Sequence, residues 1–507
     1  MNKTPHIRCD ILLAYPSESV NIFGYMIPLG LSSIAAVLEE NGYNVKIIDF
    51  STYTGDFRYD LFRMKPSIVG IGGTTPTRKG SFHIARLVKE VSPHTPVVYG
   101  GIHASFTAED TLNSIPEIDY IIKGEGEFSF LQLADILTGR RDDPPGSVPG
   151  IAFREDNGIF STKASRIDNL NILPMPARHL FDKKPELKLD FFNLPAEFIM
   201  TSRGCPACCS FCSASRMFPG GVRFRSAEKI GQELESILSK GSIKALKIFD
   251  STFTSSREHV ESFCAVVKKF NLLWECEIRA DDNIDLPLLK LMKESGCCYI
   301  NMGLETTSEN LLTKMGKKIS VAKVEQVLQW CRSLEIKTKV FFTLGHLNQS
   351  RQECIDDIAY MKKRKEEIDF FATTIGLRIY PGTALEKAVG KEGLLDPNFS
   401  WANYNPPLSN LMLLEFGDVL ILRQKHLGFS FLSSLIIRLL SQKTVLSPDY
   451  IFNIIIRQGI SNLFKSFLLK VLHTFHILLW WFRIGTGVID LNSQKDDDAR
   501  KVMEAQS

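Results

Sequence analysis

The 507-residue chain holds only eleven cysteines, too few and an odd number for a disulfide scaffold. Nowhere do 18 uncharged apolar residues run together, which excludes an ordinary membrane span. The opening "MNKTPHIRCDILLAYP" lacks a long apolar core and a small-residue cleavage site, so it reads as entry into a strand, not a signal peptide. A reducing cytoplasm is the expected location, where grouped cysteines hold metal or do redox chemistry. Charge of one sign is scarce too: 60 basic against 57 acidic residues leave +3, no global case for a nucleic-acid partner. No internal repeat stands out beyond alternating apolar runs and helical patterns. What is present is globular composition, with 44% hydrophobic and 23% charged residues, and length for roughly three domains.

Three stretches differ in pattern. Residues 6–140 alternate short apolar runs ("DILLAYP", "VKIIDF", "SIVGIGG", "PVVYGG", "YIIKGEGE") with helical patterns such as "LGLSSIAAVLEENG", which closes on Gly42. Nearly continuous apolar runs are the mark of strands buried on both faces. Five such units predict an α/β fold, a doubly wound, flavodoxin-like parallel sheet whose glycine-rich carboxyl edge binds ligands. Residues 141–195 are rich in Pro, Gly and charge and read as a linker with one small hairpin around Asn157-Gly158. From 196 to 395 a second series of six strand–helix units predicts a partial (β/α)6 barrel. Residues 396–507 read as a helical extension. Between 421 and 488 eight Lys/Arg and one acid, Asp449, lie among Leu, Ile, Phe and Trp. That is the composition of a helical cap on the barrel, or of interfacial helices giving peripheral membrane contact.

The chemistry concentrates in "TSRGCPACCSFCSAS". Cys205, Cys209 and Cys212 have the spacing C-x3-C-x2-C directly after a predicted strand. Three thiolates on one short loop can hold three corners of an iron–sulfur cube, leaving one iron open for ligand chemistry. The bland alternative is a zinc-stabilised binding module that uses Cys208 as well. Cys208 reads instead as a spectator.

With Phe211 before its last cysteine, this loop resembles the signature of the radical S-adenosylmethionine (SAM) superfamily. The resemblance implies a [4Fe–4S] cluster on Cys205, Cys209 and Cys212, with SAM chelating the fourth iron. One electron then cleaves SAM to methionine and a 5′-deoxyadenosyl radical. It continues along the chain. "KIFDSTFTSS" resembles the second-strand motif, with Asp250 as its only acid because Ser251 fills the second acidic position. "EIRAD" places Arg279 where some members contact the SAM carboxylate. "MGLETTSENLLTKMGKK" makes Glu305 the candidate for the ribose hydroxyls. "FFTLGHLNQSRQE" puts Gly345 near the adenine, with a departure at His346-Leu347-Asn348.

Residues 6–140 resemble the cobalamin-binding domain that precedes such barrels in one subfamily, which includes anaerobic magnesium-protoporphyrin monomethyl ester cyclases and cobalamin-dependent radical C-methyltransferases. Thr74, Thr75, Gly100 and Gly101 are the implied cobalamin contacts. The loop "YPSESVNIFG" lacks D-x-H-x-x-G, so a histidine-free lower face is implied, and His103 reads as a polar loop residue. The resemblance thus implies a radical SAM enzyme with [4Fe–4S], SAM and cobalamin as cofactors. The expected reaction is methylation of an unactivated carbon, with oxidative cyclisation or rearrangement as the alternative. Implied partners are an electron donor such as flavodoxin or ferredoxin and a small-molecule substrate. If 421–488 meets a membrane, that substrate is apolar: a lipid, isoprenoid or tetrapyrrole.

Overall fold

The structure, a computed structural model, describes residues 9–16, 27–181, 187–189, 192–239, 241, 243–347, 349–375, 379–392 and 399–402. The basic apolar stretch 421–488 lies outside the described residues. The chain divides into two compact units, and residues 344–363 belong to the second. Everything below concerns the first unit unless stated otherwise.

Strands β1 (Ile11–Tyr15), β2 (Val45–Asp49), β3 (Ile68–Gly72), β4 (Val97–Gly100) and β5 (Tyr120–Ile122) form a parallel sheet in the order β2-β1-β3-β4-β5. This is the flavodoxin-like order, and its crossover reverses between β1 and β3. The strands form because their side chains have apolar partners on both faces. Leu12, Ala14, Val69, Ile71 and Tyr99 pack into one core; Ile11, Leu13, Ile68, Val98 and Ile122 pack into the other. Each fully buried Ile or Leu contributes about 1.5–3 kcal/mol. Helix Leu29–Glu40 ends where expected, with Gly42 at φ +76.

The predicted hairpin exists as β6 (Ile151–Glu155) and β7 (Gly158–Ser161), turning at Gly158, φ +130. It also extends the first sheet, because β6 pairs antiparallel with β5. Arg154 fixes the hairpin by donating to the carbonyls of Leu112, Ile115 and Ile118.

The second sheet runs β16-β15-β14-β13-β12-β9-β8. Its strands are β8 (Lys188–Leu189), β9 (Leu194–Ile199), β12 (Ala245–Ile248), β13 (Leu273–Ile278), β14 (Cys297–Glu305), β15 (Lys337–Leu344) and β16 (Phe370–Ile375). A short antiparallel ribbon, β10 (Ser202–Arg203) with β11 (Arg223–Phe224), brackets the cysteine loop. Strands β9, β12, β13, β14 and β15 pair in parallel, and β8 adds antiparallel to β9. The six units expected of a partial barrel are therefore present. Strand ends lead into helices opened by side-chain caps: Ser226, Ser256, Asp285, Ser308 and Ser320 each accept from a first-turn N–H. Among the described residues no helix is long and apolar enough to cross a membrane.

Candidate active site

The cysteine loop is fastened at its base. Asp250, two residues beyond β12, is fully buried; its carboxylate accepts from Thr201 N (2.7 Å), Thr201 Oγ1 (2.5 Å) and Ser202 Oγ (2.7 Å). Burial pushes its carboxyl above the usual range, and these hydrogen bonds oppose the rise. Asp250 therefore holds the residues that lead into the loop. His259 Nε2 lies 2.8 Å from Thr201 Oγ1, and burial drops its pKa to about 4, so it stays neutral. Gly204 (φ +108) allows the sharp entry, since a Cβ there would stand 2.7 Å from Gly221 O. Farther along, Ser210 N donates to Met315 O and Ser210 O accepts from Leu385 N.

The three predicted thiols lie within one another's electrostatic range. Burial raises the Cys209 thiol, while the Lys317 and Arg279 cations beside it pull the other way. Burial likewise raises the Cys212 thiol. Cys205 Sγ is 3.4 Å from Thr252 Oγ1, and Cys208 is exposed. Among the described residues no three His, Cys, Asp or Glu side chains converge closely enough for a single metal ion.

Arg279 and Glu305 both reach this place. Arg279 pairs with Asp281 (3.2 Å), and its positive charge opposes the rise of the Cys209 thiol. Glu305 has φ +73, a left-handed conformation uncommon for a residue with a side chain, at a register shift between Gly303 and Glu305. Its carboxylate accepts from Lys317 Nζ (2.6 Å) and Thr343 Oγ1 (2.9 Å). Gly303 leaves room for this pair: a Cβ would stand 2.5 Å from both Glu305 Oε1 and Lys317 Nζ, which would have to shift. Lys317, not singled out in the sequence, lies 5.8 Å over the Phe211 ring and couples Glu305 to the loop. Gly345 belongs to the second unit, where it has φ +85 and donates to Gln349 Oε1 (2.7 Å).

The carboxyl edge of the first sheet opens on a cavity of about 360 Å3. Gly72, Thr74, Gly100 and Gly101 line it from one side; Phe198, Met200 and Arg203 line it from the other. Gly101 (φ +99) must be glycine, because a Cβ would stand 2.5 Å from Gly73 O. A Cβ on Gly30 would meet nothing within 4 Å, and one on Gly100 would make only an ordinary contact with Ile122 O at 3.6 Å. Among the described residues no histidine lines the cavity. Thr75 is not in the lining; its Oγ1 lies 3.1 Å from His103 Nδ1. His103 is not the polar loop residue the sequence suggested. It is fully buried in the helix Ile102–Phe106, among Phe82, Tyr99 and Trp401, and burial lowers its pKa to about 3.

The feature sequence reading missed is an ionic clamp. Arg203, two residues before Cys205, donates to Glu125 Oε1 (2.8 Å) and Glu127 Oε1 (2.5 Å) from the "KGEGE" turn after β5. Arg223, across the ribbon, donates to Glu125 Oε2 (2.5 Å), which also accepts from Ile167 N. A second group ties Arg178 and Arg225 to Glu233, with Glu197 at 3.2 Å from Arg178. The repeat of acids in "GEGE" was visible; its partners, some 78 residues away, were not.

The Radical SAM superfamily model matches residues 199–361, and the B12 binding domain model matches residues 19–134. Over 413 residues the chain is 30% identical to an uncharacterized methyltransferase of Pyrococcus horikoshii, across 79% of this chain and 87% of that protein. It is 28% identical over 349 residues to the anaerobic magnesium-protoporphyrin IX monomethyl ester cyclase of Rubrivivax gelatinosus, across 67% of this chain and 62% of that enzyme. Among solved structures, the radical S-adenosylmethionine methyltransferase TsrM from Kitasatospora setae, with cobalamin and a [4Fe-4S] cluster bound, aligns with a TM-score of 0.63 at 20% identity. That alignment covers 75% of this chain and 74% of TsrM, and it carries the fold.

Proposed function

The chain belongs to the radical SAM enzymes that carry a B12-binding domain, and we propose that it is a cobalamin-dependent methyltransferase acting on an unactivated carbon. The observation that carries this reading is the junction of the two sheets. Arg203 belongs to the cysteine loop's own ribbon and lines the cavity built from the glycine-rich strand ends of the B12-binding domain. The donor set fits both cofactors. Three neighbouring thiols flanked by two cations suit an anionic iron–sulfur cluster, and a histidine-free cavity floored by glycines suits a broad, flat ligand.

In this reading Cys205, Cys209 and Cys212 hold the cluster, and Arg279 and Glu305 receive the carboxylate and ribose of SAM. Thr74, Gly100 and Gly101 receive cobalamin. When bound, these groups supply one-electron cleavage of SAM and a carrier for its methyl group. The chain's own share is positional. Asp250 fixes the loop entry through Thr201 and Ser202. Lys317 holds the Glu305 carboxylate beside Phe211. The Glu125–Arg203–Glu127 clamp fixes the loop against the B12-binding domain. The electron donor is a small reducing protein of the flavodoxin or ferredoxin type, and the setting is cytoplasmic.

The test is anaerobic reconstitution with iron, sulfide and hydroxocobalamin, followed by turnover with methyl-labelled SAM. Label in the product supports methyl transfer. A product without label transfers the reading to oxidative cyclisation or rearrangement; the Rubrivivax relative is named a cyclase. Cys209→Ala is expected to abolish SAM cleavage while the fold persists; retained cleavage rejects the ligand set.

A further inference from the structure

Strand register builds a polar row inside the barrel that none of the roles above uses. On β14 the odd-numbered residues face the site, because a Cβ on Gly303 would meet Glu305 and Lys317. The even-numbered Ile300, Met302 and Leu304 are buried core. Two residues below Gly303 on the site face stands Asn301. Across the sheet it pairs in register with Glu277 of β13 on one side and Lys339 of β15 on the other. Below this row Lys247 and Glu275 face each other in register, 3.3 Å apart, and neutralise each other. Above it lies the row of Gly303 and Phe341, next to Glu305.

Each member of the row points to a ligand. Asn301 is 7% exposed, and its Oδ1 is buried without a hydrogen-bond partner, a costly state in a folded protein unless something bound satisfies it. Glu277 is open to solvent although protein atoms surround it, as a carboxylate facing an internal lumen should be. Burial pushes its carboxyl up, and the Lys339 and Lys317 ammonium groups oppose the rise. Lys339 Nζ lies 5.4 Å from the Phe370 ring, 5.7 Å from Tyr299 and 5.8 Å from Phe341. Two large apolar side chains flank the row unburied, Phe370 and Phe249, each 47% exposed; Phe249 also lines the cavity at the edge of the first sheet, 5.8 Å from the Phe198 ring, so it stands between that cavity and the row. Phe249 follows the Ile248–Cys276 register pair, which sets it beside Glu277.

We propose that the Glu277–Asn301–Lys339 row docks the substrate through a polar head carrying an amine beside an anionic oxygen, with a flat apolar remainder against Phe249 and Phe370. The amine donates to Glu277 and to the orphan Asn301 Oδ1, and the anionic oxygen meets Lys339. The inference rests on the enzyme reading above and narrows it: the substrate is a zwitterion or close equivalent, not a bare hydrocarbon.

Four probes with one phenyl tail test the head group on the full-length protein by saturation-transfer NMR titration: L-phenylalanine, phenethylamine, 3-phenylpropionate and ethylbenzene. The zwitterion is expected to bind about tenfold more tightly than the amine or the acid, the equivalent of one charge-assisted hydrogen bond. Glu277→Gln and Lys339→Met are each expected to remove that preference. Asn301→Ala is the second route should either charge variant fail a circular-dichroism check of folding, and it is expected to weaken the amine and the zwitterion but not the acid. Equal binding of ethylbenzene, binding of none of the four, or an unchanged preference in folded variants overturns the proposal. The readout needs neither cluster nor SAM cleavage, so its failure is distinct from failure of the enzyme reading.

Discussion

Replacing Arg203 by Leu tests whether the clamp at the cysteine loop holds the two sheets together. Its guanidinium is 12% exposed, and the Glu125 and Glu127 side chains are 3% and 4% exposed. With Arg223 the group has two positive and two negative charges and no net charge. Removing Arg203 leaves Glu125 with Arg223 but strips Glu127 of its guanidinium. Breaking a buried pair from one side costs about 3–5 kcal/mol, because the remaining charge stays desolvated. Glu127→Gln leaves Arg203 paired with Glu125 and should cost about 1–3 kcal/mol. In the double variant the orphaned carboxylate is gone, so the two losses should fall short of their sum by about 0.5–3 kcal/mol. Urea unfolding, followed on the transition of the unit holding both sheets, measures all three. The pH dependence is a second readout. Burial raises the Glu127 carboxyl, but the Arg203 guanidinium outweighs this and holds it below the usual range. A carboxylate depressed on folding stabilises fully above its unfolded pKa, about 4.3 for Glu, and the stabilisation disappears as pH falls through the lower folded value. The wild-type chain should therefore lose stability below about pH 4.3 along a limb that Glu127→Gln flattens. A loss under about 1 kcal/mol for Arg203→Leu, the range of an exposed pair, or strict additivity, refutes the buried-clamp argument.

Further outcomes follow from single positions. Gly303→Ala places a Cβ 2.5 Å from Glu305 Oε1 and Lys317 Nζ, so it should displace that pair, cost about 1–3 kcal/mol and weaken SAM binding more than cobalamin binding; equilibrium dialysis with each cofactor checks the split. Gly101→Ala meets Gly73 O at 2.5 Å in a left-handed backbone, so cobalt content after reconstitution should fall while iron content holds. Asp250→Asn keeps the volume but turns one acceptor into a donor facing Thr201 and Ser202, and should lower iron incorporation; unchanged iron per chain refutes its role at the loop entry. Glu233→Gln should flatten the same acid limb as Glu127→Gln. Burial raises the Glu233 carboxyl, and Arg225 and Arg178 outweigh it, so its stabilisation also disappears as pH falls.

The legible parts of this molecule are those whose physics is local in the chain. Parallel strands buried on both faces must be continuous apolar runs, so β1 and β3 could be read directly. Three thiols on one short loop are neighbours by chain connectivity alone, so the grouping of Cys205, Cys209 and Cys212 was readable. A turn needing φ above zero shows as glycine, as at Gly42 and Gly158. What escaped depends on partners distant in sequence. The hairpin 151–161 was visible, but its pairing with β5 was not. His103 looked like a loop residue because nothing near it in sequence announces Thr75 or Trp401. The acids of "GEGE" carried no role in the sequence until Arg203 and Arg223 came to them. The same distinction governs the barrel. Its apolar side follows from alternation within each strand, whereas Glu277, Asn301 and Lys339 become one row only once register is fixed between strands. A family's shared chemistry therefore sits in contiguous motifs at the loop. Under the docking proposal, the choice of substrate falls to a cross-strand row, where a single substitution changes the charge of the lumen without touching any motif.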